Sequence, residues 1–375
     1  MNQPTVLIVG ASISGLACAA AFHRLGIDYI IIEKETKIAA PWRNHYERLH
    51  LHTDKGLSSL PYKQWDNKTP RYPSRQQVID YLENYSDEFH IQPLFNTEAL
   101  SIQKQKEHWI TITNYHHFQS KYIIIATGAF SQPKLFHCKG LETFPGIVIH
   151  SSQYRTGKIY QNQNVLVVGF GNSACEIAID LYEQGARPSI SVRSSVNIIP
   201  RDLAGIPILR FSLFLSKLSP RVADAIAALL IRWKWGDVTK LGLQKMKYDV
   251  FQQIEKNGTT PVIDVGTLQH IKKGHIVVFD DIDFIQNKTV CFKSGKTKEV
   301  DAIIAAVGYE RNDTDILAVD TNRFSDAKLS IGKQQYFGKE GLYFCGFHIS
   351  PAGLIREISL EAKKIAKDIA KKSRT

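Results

Sequence analysis

Cysteine is scarce and unpaired in this chain. Cys18, Cys138, Cys175, Cys291 and Cys345 stand far apart, and no two form a C-x-x-C. That spacing argues against a disulfide-stapled scaffold and a thiol-based disulfide reductase, and for a reducing compartment. Cys18 and Cys175 lie among apolar helix positions and read as small core residues. Long apolar runs are missing too. The most apolar stretch, Leu203 to Trp235, is broken by Arg210, Lys217, Pro220, Arg221 and Asp224, short of the ~20 apolar residues that a membrane span requires. The first strand is expected near Thr5 and a glycine turn follows at Gly10, so no cleavable leader is expected, and the chain reads as cytoplasmic. Acidic residues are outnumbered, 36 against 47 Lys and Arg, for a net charge of +11. Such an excess can serve nucleic acid, an anionic membrane surface or polyphosphate ligands. No basic run is interleaved with aromatics and no nucleic-acid motif occurs, so no nucleic-acid partner is expected. The charge reads as a basic surface that helps attract an anionic cofactor.

What the chain does contain, it contains twice. Its 375 residues suit two domains, and 43% hydrophobic with 22% charged residues is the balance of a folded globular protein. The run Val6-Leu7-Ile8-Val9 predicts a buried parallel strand, followed by the turn Gly10-Ala11-Ser12-Ile13-Ser14-Gly15 and an apolar helix to about Leu25. Gly26 ends that helix, and a second strand, Tyr29-Ile30-Ile31-Ile32, terminates at Glu33. The second copy runs through Val165-Leu166-Val167-Val168, the turn Gly169-Phe170-Gly171-Asn172-Ser173-Ala174, a helix to Gln184, and a strand Ser189 to Val192 ending at Arg193. Each copy later reaches an apolar strand closing on a small-residue turn, Tyr122 to Gly128 and Ala302 to Gly308. The first glycine of such a turn permits a tight strand-to-helix corner, and small residues let backbone approach a pyrophosphate. The helix start offers N–H groups and a partial positive charge to the phosphates. Ser12 stands where the second glycine is usual, and Ala174 is a permitted variant of the third.

The copies differ where nucleotides differ. Glu33 closes the second strand of the first copy, where a carboxylate can accept hydrogen bonds from a ribose diol. Arg193, followed by Ser194 and Ser195, closes the equivalent strand of the second. A carboxylate repels a 2′-phosphate and a guanidinium pairs with it, so the first site suits FAD and the second NADPH.

The segment Phe144-Pro145-Gly146-Ile147-Val148-Ile149-His150-Ser151-Ser152-Gln153-Tyr154 matches F-x-G-x-x-x-H-x-x-x-Y, and so resembles the identifying motif of the class B flavin-containing monooxygenases. The YUCCA-type branch of plant auxin synthesis is similar over nearly the whole chain. The likeness is carried by Tyr46 to His52, Tyr72 to Gln77 with Asp80-Tyr81-Leu82, Gly171-Asn172-Ser173, Val192 to Val196, Thr260 to Gly266, Ala306 to Tyr309 and Gly341 to Phe347. Val307 departs from the family's usual threonine, and the segment after Arg201 differs enough to leave the substrate open.

The resemblance implies an α/β fold of two interleaved Rossmann-like dinucleotide-binding domains of the glutathione-reductase type. FAD would occupy residues 1–154 and 309–375, through Gly10, Ser12, Ser14, Gly15, Glu33, Lys34, Trp42, Arg43, Thr127, Gly128, Gly346 and Leu354. NADPH would occupy residues 155–308, through Gly169, Gly171, Asn172, Ser173, Ala174, Arg193, Ser194, Val307 and Gly308, with a helical excursion over 203–243. A strand from Leu342 to Gly346 and a helix from about Ala352 would bring backbone N–H groups to the flavin. The implied activity inserts one oxygen atom from O2 into a small organic substrate through a C4a-(hydro)peroxyflavin, with a 2-oxo acid such as indole-3-pyruvate as the first substrate expectation. A flavin reductase or oxidase without oxygen insertion, and a nucleotide-binding redox sensor, are the alternatives.

His52 aligns with a flavin-side polar position that related enzymes fill with asparagine, where it either hydrogen-bonds the peroxide or is a satisfied polar residue. Strand alternation would set His50 and His52 on one face, but no Cys or carboxylate ligands complete a metal site, and none is expected. Trp42 reads as flavin-lining or as ordinary core. His150 is expected to be a structural hydrogen-bonder between domains. The stretch Leu203 to Trp235 reads as packing helices, as a wall of the substrate pocket, or as peripheral membrane contact through Arg232, Trp233, Lys234 and Trp235. The lysine-rich helix from Ala362 reads as a solvated amphipathic face.

Overall fold

Apolar, β-branched runs become the parallel strands of two separate sheets in the computed structural model of the chain. It describes residues 3–128, 130–215, 218–219, 222, 225–226, 229, 234–246, 250, 253, 260–311, 337–348, 350 and 353–374. The chain divides into two compact units. The first comprises Met1–Arg43, Thr53–Gln132 and Arg311–Thr375; the second comprises Asn44–His52 and Pro133–Glu310.

In the first unit four strands run in the order Tyr29–Ile32, Val6–Val9, Tyr122–Ile125, Leu342–Phe344, all parallel. Their register sets Val9 opposite both Ile32 and Ile125. These strands carry apolar side chains at every position because both faces are covered. Leu7, Val9, Ile32, Ile123, Ile125 and Leu342 pack with Trp109 and Phe118, which come from an antiparallel three-stranded meander over Ala99–Gln105, His108–Thr113 and His117–Ser120. Helix Ile13–Leu25 follows the first turn, buries Ser14 through Phe22, and stops at Gly26. Against it lies the C-terminal helix Leu354–Lys372, which buries Ile358, Ala362, Ile365, Ala366 and Ile369. That three-to-four spacing is one face of a helix, and Lys364, Lys367, Lys371 and Lys372 remain exposed on another.

The second unit holds a five-stranded parallel sheet in the order Val277–Phe279, Arg187–Ser191, Asn164–Val168, Ala302–Ala305, Ile147–His150. Helix Asn172–Glu183 packs on it. The strand Ile147–His150 pairs with Ala302–Ala305, Ile147 opposite Ala302 and His150 opposite Ala305. Residues 133–154, expected in the first domain, therefore lie in the second unit, and so do residues 44–52. The strand Arg187–Ser191 starts two positions before the expected Ser189, because the Arg187 N–H bonds Gln163 and its side chain reaches Asn164 and Asn162.

Of the expected excursion over 203–243, helix Ile208–Leu215 and a single 3-10 turn at Val238–Leu241 fall among the described residues. Arg232 and Trp233 lie outside them. No helix of the described residues is long and apolar enough to cross a membrane.

The tightest point of the first unit is its turn. A Cβ on Gly15 would stand 1.8 Å from the carbonyl oxygen of Gly10 and 3.2 Å from Ile31 Cδ1, so any side chain forces the helix away from the first strand. Gly15→Val should therefore purify without flavin colour and lose roughly 2 kcal/mol or more of stability. The ratio of flavin absorbance to protein, with a denaturant melt, checks this. Gly171→Ala is the control: a Cβ there meets nothing within 4 Å, and flavin content should be normal.

Candidate active site

The two glycine turns repeat each other in detail. Gly10 donates its N–H to Ile32 at 2.8 Å, and Gly169 donates to Ser191 at 2.9 Å. Both have positive φ, 106° and 112°. A Cβ on Gly10 would lie 2.8 Å from the Ala126 carbonyl oxygen, and one on Gly169 would lie 2.5 Å from that of Ala306. Each turn thus passes over the end of the neighbouring strand, where only glycine fits.

Both helices that follow begin open. Ser12 caps the first without a side-chain capping bond, Gly171 caps the second likewise, and neither helix has an acidic residue in its first turn. Nothing approaches a Cβ placed on Gly128, Gly171 or Gly308 within 4 Å. These open starts suit pyrophosphate, since the first N–H groups of a helix have no partner within it.

In the first unit, the buried Glu33 carboxylate accepts from the Ala11 N–H at 2.7 Å and from the Glu35 N–H at 3.1 Å. A carboxylate offers about four acceptor positions, so the group that braces the turn can also take a ribose hydroxyl. Gly346, after the strand Leu342–Phe344, lies on the start of the first helix: a Cβ there would stand 2.2 Å from Ser14 Oγ. Its N–H donates to Glu361 at 2.8 Å. Burial pushes the Glu361 carboxyl up from its ordinary value. Thr127 and Gly128 sit half-buried at the end of Tyr122–Ile125, Lys34 is exposed, and Trp42 is half-buried. Arg43 is held by Ile38 O at 3.0 Å and by Glu83, so its guanidinium supports the loop. Leu354, 46% exposed, opens the C-terminal helix.

In the second unit, Ala174 is fully buried against the sheet, and Ser173 is half-buried beside the open helix start. Asn172 Oδ1 accepts from the Ile263 N–H at 2.8 Å, which anchors the segment running to Gly266. Arg193 and Ser194 lie exposed just beyond the strand Arg187–Ser191. Val307 and Gly308 close the strand Ala302–Ala305.

The motif residues stitch this unit internally. A Cβ on Gly146 would meet the Asp301 carbonyl oxygen at 2.2 Å. His150 bonds Gly308 O through Nε2 at 3.1 Å and Ser152 Oγ through Nδ1 at 2.9 Å, and burial lowers its pKa. Its bonds fall within one unit, where a role between domains was expected. Tyr154 donates to Asp180 Oδ2 at 2.6 Å, the oxygen that also accepts the Gly157 N–H at 2.8 Å. Burial raises the Tyr154 phenol far above its ordinary value.

The segment 44–52 also docks on helix Asn172–Glu183. Arg48 pairs with Glu183 through Nε at 2.8 Å and Nη2 at 3.1 Å, and the Arg48 hydrogen bond lowers the Glu183 carboxyl. His52 Nε2 bonds the buried Glu176. His50 instead bonds Arg48 O through Nδ1 at 2.7 Å and is exposed. No named strand covers these residues, so the alternation that set both rings on one face does not hold. Among the described residues no group of three or more His, Cys, Asp or Glu side chains could hold a metal ion.

Glu176, Asp180, Glu183 and Glu361 were not singled out from sequence. A signal existed for three of them: Glu176, Asp180 and Glu183 recur at four- and three-residue spacing, one face of a helix, beside apolar neighbours.

Residues 7–202 match the family model described as pyridine nucleotide-disulphide oxidoreductase. The indole-3-pyruvate monooxygenase YUCCA6 of Arabidopsis thaliana is 36% identical over 379 residues, covering 97% of this chain and 90% of that protein. The flavin-containing monooxygenase from Stenotrophomonas maltophilia superposes with a TM-score of 0.70 at 17% identity, with 100% of both chains covered. A cyclohexanone monooxygenase bound to epsilon-caprolactone gives a TM-score of 0.77 at 16% identity, covering 100% of this chain and 88% of that one. The structural likenesses establish the two-domain α/β dinucleotide-binding fold. With one-third identity along nearly its whole length, the chain belongs to the YUCCA-type branch of the class B flavin-containing monooxygenases and is an FAD- and NADPH-dependent monooxygenase.

Proposed function

We propose that this enzyme oxidatively decarboxylates a 2-oxo acid of the indole-3-pyruvate type, using NADPH and O2 and releasing the shortened acid, CO2 and water. The observation that carries the proposal is the 36% identity to YUCCA6 along 97% of the chain. FAD, when bound, supplies the redox chemistry: hydride is taken from NADPH, and one atom of dioxygen goes to the substrate while the other leaves as water.

The chain's own residues hold and orient these partners. Gly10, Ser12, Ser14 and Gly15 cradle the FAD pyrophosphate at the open helix start, and Glu33 takes the ribose. Thr127, Gly128, Gly346 and Leu354 line the flavin, with Lys34, Trp42 and Arg43 alongside. Gly169, Gly171, Asn172, Ser173 and Ala174 form the NADPH pyrophosphate turn, and Val307 and Gly308 edge that site. Arg193 and Ser194 take the 2′-phosphate. His52 is the polar group assigned to the transferred oxygen. The cytoplasmic reading rests on the scattered spacing of the five cysteines, none in a C-x-x-C.

Arg193 is exposed and supplies a guanidinium at the strand end. Arg193→Ala should raise KM for NADPH by about 2 kcal/mol equivalent, far more than for NADH, because a 2′-phosphate loses a charge-assisted bond that NADH never makes. Equal loss for both coenzymes in steady-state kinetics would remove Arg193 from this role.

The oxygenation itself is read with labelled dioxygen. Indole-3-pyruvate should accelerate NADPH oxidation, suppress hydrogen peroxide release, and yield a product carrying one labelled oxygen atom. If peroxide release stays stoichiometric with NADPH across 2-oxo acids, amines, sulfides and ketones, the enzyme is an oxidase or reductase instead.

A further inference from the structure

Glu176 is a carboxylate where a helix facing a sheet would ordinarily carry an apolar residue. Its side chain is 3% exposed, and it stands on helix Asn172–Glu183, whose open start is the NADPH turn. Two cation-forming side chains from one short segment reach it. His52 Nε2 bonds Oε1, and Arg48 Nη1 lies 3.7 Å from Oε2 while its other nitrogens are committed to Glu183. Tyr46 packs in the same place, 2% exposed, and burial followed by the Glu176 charge raises its phenol well above the ordinary value.

We propose that Glu176 is a positioning residue, which fixes the His52 ring by accepting from Nε2 and registers it to the coenzyme helix. The inference rests on the reading that His52 serves the transferred oxygen. An ionised carboxylate only accepts, so beside ionised Glu176 the hydrogen sits on Nε2 whether the ring is neutral or charged. The ring nitrogen left for chemistry is Nδ1, which makes no hydrogen bond among the described residues. Neutral His52 then offers Nδ1 as an acceptor, and protonated His52 offers it as a donor; the direction of the ring does not change between them. Because Nε2 is bound to the helix that carries the NADPH turn, His52 keeps station with the coenzyme, as a second layer of hydrogen bonding does for a metal-bound histidine. The Arg48 and Glu183 pair is the neighbouring clasp. It holds the segment but does not touch the ring.

The test uses FAD-loaded enzyme with NADP⁺, carrying nitrogen-15 histidine. A downfield ring N–H proton on His52 Nε2, assigned by its loss in His52→Asn, is expected in the wild-type protein. It should vanish or move upfield in Glu176→Gln and persist in Glu183→Gln. With indole-3-pyruvate as probe, product formation should fall about tenfold in Glu176→Gln while KM for NADPH stays within about twofold, and Glu183→Gln should keep wild-type product formation. Flavin content and melting confirm that each variant is folded. Absence of the Nε2 proton in the wild-type spectrum overturns the proposal without any variant. So does an unchanged resonance in Glu176→Gln, or equal effects of Glu176→Gln and Glu183→Gln, which would make the contact a mere fastening. If His52→Ala, which leaves no polar group at that position, keeps full product formation, the reading of His52 fails and the positioning role falls with it, even where the ring contact is seen.

Discussion

Both glycine turns depend on one close approach, that of a turn glycine to the carbonyl of the adjacent strand. Gly10 lies over Ala126 and Gly169 over Ala306, so near that a Cβ would stand 2.8 and 2.5 Å from the oxygen. Only at this spacing can the helix start immediately beyond the sheet's carboxyl edge, with its first N–H groups turned to the space above the strand ends. Widening either corner by a methyl group would move the helix, and with it Ser14 and its neighbour Gly346 in one unit, or Asn172 and its partner Ile263 in the other.

The side chains and backbone of the motif from Phe144 to Tyr154 tie elements of the second unit together. Gly146 lets one strand lie against Asp301, His150 ties the Gly308 carbonyl, and Tyr154 shares an Asp180 oxygen with Gly157. Together they fix the edge strand Ile147–His150, the closing turn at Gly308 and helix Asn172–Glu183 in one unit. A string that joins three elements constrains all of them at once.

The strands and turns could be read from sequence because they depend on neighbours in the chain. Val6–Val9 and Tyr29–Ile32 fall where apolar runs and Gly26 put them, and the second copy repeats the pattern. The allocation of residues 133–154 and 44–52 could not be read that way. Ile147–His150 is a short apolar run like the others, and nothing within it says that its partner is Ala302–Ala305. The pairing of Arg48 with Glu183 spans 135 positions, beyond any local periodicity. His50 and His52 show the same limit. Alternation assigned them one face, but bonds to Arg48 and Glu176 give them different surroundings.

Three buried carboxylates share a task that sequence reading gave to only one of them. Glu33 braces the first turn through Ala11, Glu361 holds the Gly346 N–H, and Glu176 takes His52 with Arg48 close by. A charge removed from water is tolerated only where hydrogen bonds or opposite charges replace the solvent. Each carboxylate therefore specifies its partner more strictly than an apolar residue would, since a loop displaced by one position leaves an acceptor bare. An apolar contact at the same places would bury comparable area but allow sliding. The segments so held are the first glycine turn, the Gly346 loop lying on its helix, and the stretch carrying His52.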